Sequence, residues 1–98
     1  MEATWRNELS RMKAPLAQRV ADLEQTIEGI TSRLEELNHL LAQPDTYGNG
    51  TDIGQLNREY TELKSSLEER NRQWEETAIE LEALEESFWQ DKSVSPDV

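Results

Sequence analysis

Apolar residues recur along the first half of this chain at alternating gaps of four and three. Leu16, Val20, Leu23, Ile27, Ile30, Leu34, Leu37 and Leu41 follow one another at 4, 3, 4, 3, 4, 3 and 4. All eight are aliphatic. A 3.5-residue period held over four heptads marks a coiled-coil helix, because only a supercoiled helix keeps such a stripe facing its partner. The pattern predicts a helix over 15–43. Pro15 suits the first helical position, where its missing N–H costs nothing. Gly29 is the weak point, worth about 1 kcal/mol against Ala. A second stripe runs through Leu56, Tyr60, Leu63, Leu67, Arg70, Trp74, Thr77, Leu81, Leu84 and Phe88. It predicts a helix over 52–89, with Arg70 and Thr77 as polar exceptions. Asp52, with Gln55 three residues on, reads as its N-cap.

Residues 44–51, Pro-Asp-Thr-Tyr-Gly-Asn-Gly-Thr, read as a turn. A short turn between long helices favours an antiparallel hairpin. Setting Leu41 opposite Leu56 makes facing residue numbers sum to about 97. That rule pairs Leu37 with Tyr60, Leu34 with Leu63, Ile30 with Leu67, Leu23 with Trp74, and Leu16 with Leu81. Arg70 then faces Ile27, lays its methylenes across the seam and sets register. Upstream, Trp5, Leu9 and Met12 continue the spacing, but the step to Leu16 and Val20 contains a stutter. A separate short helix over 1–14, with a kink or break at Pro15, is the expectation. Met12 would face Leu84, and Leu9 would face Phe88. Residues 90–98 read as a disordered tail. The predicted fold is all-α: an antiparallel two-helix coiled-coil hairpin with a short N-terminal helix before Pro15.

Composition fits that seam. Leu, Ile, Val and Phe make up only 20 of 98 residues, beside a formal charge of -11. That is borderline for a broad core but enough for a narrow stripe. No apolar run approaches a membrane span, and no N-terminal stretch reads as a signal peptide. The absence of cysteine excludes a disulfide framework and thiolate metal sites. Seven acids and no base lie between Glu75 and Asp91, whereas Arg6, Arg11, Lys13 and Arg19 sit near the start. A hairpin lays these ends together, which helps orientation more than stability.

Catalytic chemistry is not visible. His39 has no His or Cys neighbour. Glu35-Glu36, Glu68-Glu69, Glu75-Glu76 and Glu85-Glu86 are paired carboxylates, but a two-helix hairpin offers no pocket to shift their pKa values. There is no phosphate-cradling G-x-x-x-x-G-K-[ST] loop. The expectation is no catalytic, cofactor or metal site. Trp74 and Trp5 belong to the seam, and Trp89 is the tryptophan left for the surface. Arg33, Lys64, Arg70 and Arg72 are weak candidate nucleic-acid contacts: acids interleave them, and a strongly acidic chain repels phosphate backbones.

The order of motifs carries a resemblance. Ala14-Pro15-Leu16 opens a helix with Val20-Ala21-Asp22-Leu23-Glu24. Leu41-Ala42-Gln43-Pro44-Asp45-Thr46-Tyr47 leads into a Gly-rich turn, and Arg72-Gln73-Trp74-Glu75-Glu76 follows on the second helix. This resembles the C-terminal coiled-coil domain of ABC-F proteins, ATPases with tandem ATP-binding cassettes, over about residues 8–89. The resemblance implies a non-enzymatic piece of a cytoplasmic ATPase. Its upstream domains would bind ATP and magnesium and act with the ribosome or nucleic acid. It also implies structural roles for Pro44 and Tyr47 at the turn, Tyr47 folding back toward Leu41 and Leu56, and for Trp74 in the seam. Such domains are often basic; this one departs from that pattern.

The leading functional expectation is an accessory hairpin, about 43 Å long for 29 helical residues, that extends the ATPase toward the ribosome or nucleic acid. It would be monomeric, with no membrane partner. The alternative is a generic protein-interaction or dimerisation coiled coil, in which Leu40, Ile53 and Ile79, off the seam, feed a second interface.

Overall fold

The computed structural model describes residues 2–48 and 50–93. They form three helices, α1 (Glu2–Ala42), α2 (Pro44–Gly48) and α3 (Ile53–Ser93). No strand occurs among the described residues. α1 and α3 pack antiparallel as a hairpin. Lys92 lies over Trp5, Lys13 meets Glu85, and Arg33 meets Glu59. The first two pairs sum to 97 and 98, as the seam rule predicts.

Three parts of the expectation need correction. First, no break occurs at Pro15: α1 is one helix with Pro15 inside it. A proline in a helix interior costs about 3 kcal/mol through a lost ladder bond and a clash with the carbonyl four residues back. Here Pro15 and Arg11 are both exposed, so water can serve the Arg11 carbonyl. Burial of Leu9, 6% exposed, offsets the cost by holding the first turns against α3. The stutter is absorbed in the seam instead, which runs Trp5, Leu9, Lys13, Leu16, Val20. Met12 is left 45% exposed. Lys13 takes the inner place, covering the seam with its methylenes while its Nζ reaches Glu85 at 3.1 Å.

Second, Trp74 is not in the seam. It is 36% exposed, while Gln73 is half-buried. Leu23 is buried at this level and Arg70 half-buried, and the inner positions of α3 step by three from Arg70 to Gln73 and by four to Thr77. Gln73, which accepts a hydrogen bond from Arg70 at 3.1 Å, fits instead. Thr77 is buried, and its hydroxyl donates to the Gln73 carbonyl at 2.8 Å. A threonine thus enters the core with its polar atom satisfied.

Third, the ends and the turn are more ordered than expected. Residues 90–93 continue α3; residues 94–98 of the expected disordered tail lie outside the described residues. Lys92 stacks over Phe88 and Trp5, with centroid distances of 5.0 and 5.6 Å, and pins the last turn. The turn contains α2, with Pro44 as its first residue. Thr46 is buried beneath the turn, and the Tyr47 hydroxyl donates to the Leu41 carbonyl at 2.7 Å. Tyr47 therefore reaches back to Leu41, but its ring stays 57% exposed. Gly50, with φ of 70°, supplies the left-handed residue that turns the chain. Asp52 then caps α3: its Oδ1 accepts the Gln55 N–H at 3.0 Å and its carbonyl accepts the Leu56 N–H at 3.2 Å.

The molecule measures 77 × 19 × 16 Å. Its radius of gyration is 21.8 Å, against about 13 Å for a globular domain of this length. Its exposed area is 7332 Å², against about 5,800 Å² for a compact monomer of this mass. Each long helix has 41 residues, so it spans about 60 Å rather than 43 Å.

Candidate functional site

The four candidate cations sit on two helices with different partners. Arg33, half-buried on α1, crosses to α3 and binds Glu59 through both nitrogens, Nε to Oε2 at 2.7 Å and Nη2 to Oε1 at 2.9 Å. Glu36, one turn on, approaches Arg33 Nη1 at 3.4 Å. This forked geometry favours both charged forms. The bond from Arg33 holds the Glu59 carboxyl below its ordinary range, and the same bond raises the Arg33 guanidinium.

Arg72 lies between Glu69 and Glu76 on α3 and pairs with both. Its bond depresses the Glu69 carboxyl and raises the arginine in turn. Arg70 gives Nη1 to Gln73 and lines a shallow groove of about 220 Å³ with Arg19, Asp22, Leu23 and Thr26. Lys64 sits over the Tyr60 ring, 5.9 Å from its centroid. At about 100° per residue, Arg70 and Arg72 point about 160° apart around α3. The fold therefore does not gather these cations on one face, and each has an intramolecular partner.

The remaining chemistry is sparse. Among the described residues, no cluster of three or more His, Cys, Asp or Glu side chains is placed to hold a metal. No buried side-chain polar atom there lacks a partner. His39 Nε2 lies 2.8 Å from Gln43 Nε2, one turn along its own helix. No described helix is long and apolar enough to cross a membrane.

Two grooves lie at the open end of the hairpin, which the sequence marked only as an acidic run and a tryptophan left for the surface. Glu82, Glu85, Glu86, Trp89 and Gln90 line a groove of about 560 Å³. Across Trp89 a second groove, of about 460 Å³, includes Leu9, Lys13 and Ala17 of α1. Trp89 is half-buried and meets Phe88 edge to face, with ring centroids 5.3 Å apart. Reading this relief from the sequence would have required knowing which side of α3 faces α1.

Comparison with known proteins gives one family. The family model described as ABC transporter C-terminal domain matches residues 11–78. No curated protein and no solved structure matches the chain.

Proposed function

The chain belongs to the ABC transporter C-terminal domain family, and from that premise we propose that it is the non-catalytic accessory hairpin of an ABC-F ATPase. In this reading the ATP and magnesium sites belong to upstream domains of the same protein. The hairpin is a cytoplasmic, monomeric extension that helps the ATPase associate with the ribosome or with nucleic acid. The observation that carries the narrower assignment is the order of motifs. Leu41-Ala42-Gln43-Pro44 and Tyr47 lead into the turn, and Arg72-Gln73-Trp74-Glu75-Glu76 lies on the returning helix.

The shape supports a reaching role. A body 77 Å long and under 20 Å across extends far from its point of attachment. The charge favours a protein surface over phosphate as the point of contact. The chain carries a formal charge of -11, and Arg33, Lys64, Arg70 and Arg72 hold intramolecular partners.

The test is co-sedimentation of the parent ATPase with ribosomes, with and without this segment, together with ATPase stimulation. Loss of binding on removing the hairpin is expected. Unchanged binding and unchanged stimulation would sink the proposal. A gel shift of the isolated chain at low salt, where counterion release favours binding most, is expected to show no direct nucleic-acid complex.

A further inference from the structure

Beside its seam, α3 carries a second periodic stripe, exposed at Glu75, Ile79, Glu82 and Glu86 and half-buried at Trp89, which borders the groove shared with Leu9, Lys13 and Ala17 of α1. Glu75, Ile79, Glu82, Glu86 and Trp89 follow at gaps of 4, 3, 4 and 3, the spacing that a partner helix meets as a continuous seam. At about 100° per residue the five fall within a sector roughly 80° wide. They lie well round the helix from Thr77 and Phe88, which are buried against α1. Ile79 is 64% exposed in the middle of this acidic face. Trp89 closes one end, beside the groove it lines with Glu82 and Glu86. Among the described residues Glu75, Glu82 and Glu86 hold no ion pair, whereas Glu59, Glu69, Glu76 and Glu85 do.

We infer that this face is a docking surface for a basic amphipathic helix of another protein. The helix would seat apolar side chains on Ile79 and Trp89 and set Lys or Arg against Glu75, Glu82 and Glu86. Charge selects the occupant. Phosphate backbones are repelled. A second copy brings its own -11 to a surface already acidic. An uncharged apolar helix would strip water from three carboxylates without pairing them. The inference does not depend on the ribosome reading.

The experiment titrates the 98-residue chain with a synthetic helix of about 20 residues, leucines at 3.5-residue spacing and lysines beside them. A scrambled peptide of the same composition is the control, and backbone amide shifts locate the contact. The patterned peptide is expected to bind, to weaken as salt rises, and to shift residues 75–90. Binding should fall about tenfold or more, a standard-state loss of about 1.4 kcal/mol, in Ile79→Asp and in the double variant Glu82→Gln, Glu86→Gln. All three positions are exposed, and unchanged circular dichroism checks that the variants still fold. Equal binding by the scrambled peptide, shifts elsewhere, no binding at low salt, or unaffected variants would each overturn the inference. So would a dimer of the chain that Ile79→Asp dissolves, which would assign the face to a second copy.

Discussion

Single residues set most of the local detail, and some of it is readable from short sequence windows. Asp52 is one such case, because an N-cap needs only its own side-chain oxygen and the N–H groups two or three residues on. Replacing Asp52 with Ala should cost about 1 kcal/mol of stability in urea unfolding. Gly29 is another. A Cβ built there meets nothing within 4 Å, so Gly29→Ala should stabilise by about 1 kcal/mol and raise Tm by several degrees. The Arg33–Glu59 clasp was not readable, since it depends on how two helices rotate about each other. Glu59 is held below the ordinary carboxylate range by Arg33. Its contribution is therefore present above the unfolded-state carboxylate pKa, near 4.3, and is lost as pH falls through the lower folded value. Glu59→Gln should lower the urea midpoint at neutral pH, and the gap from the parent chain should close in acid. A gap that persists unchanged in acid would assign the effect to packing rather than to charge.

At the scale of the helix, the apolar period located both long elements but not how their irregularities resolve. The stutter near Pro15 was visible as a spacing; continuous helix through it was not. The energy that carries α1 past Pro15 comes from Leu9 and Trp5 meeting the far end of α3, a contact some eighty residues away in sequence. The same limit applied to Trp74. Heptad spacing put it inside, but the inner positions on α3 run Arg70, Gln73 and Thr77, a step of three before a step of four, which turns Trp74 outward. Pro15→Ala should therefore stabilise the chain, by up to about 3 kcal/mol, as read by thermal melting. No change would mean that residues 2–14 do not unfold with the rest. The docking stripe on α3 also belongs to this scale. Ile79 was already legible in the sequence as an apolar residue off the seam, but its place among Glu75, Glu82, Glu86 and Trp89 became clear only once the seam had been fixed.

For the whole molecule, a low apolar count and a high net charge are consequences of one architecture. Two helices and no third layer need one narrow stripe each, and everything else remains in water. That leaves a rod 77 Å long, which directs function to the surface and to reach. It also makes the antiparallel, intramolecular closure of the hairpin the claim on which the rest depends. The natural absence of cysteine allows spin labels to be placed at Ser10 and Ser87, both exposed and expected to face each other across the open end. Pulsed dipolar spectroscopy on labelled chain diluted into unlabelled chain reads the intramolecular distance alone. A closed hairpin predicts a single short separation that dilution leaves unchanged. A long separation, of the order of a full helix length or more, or a short one that disappears on dilution, would contradict it.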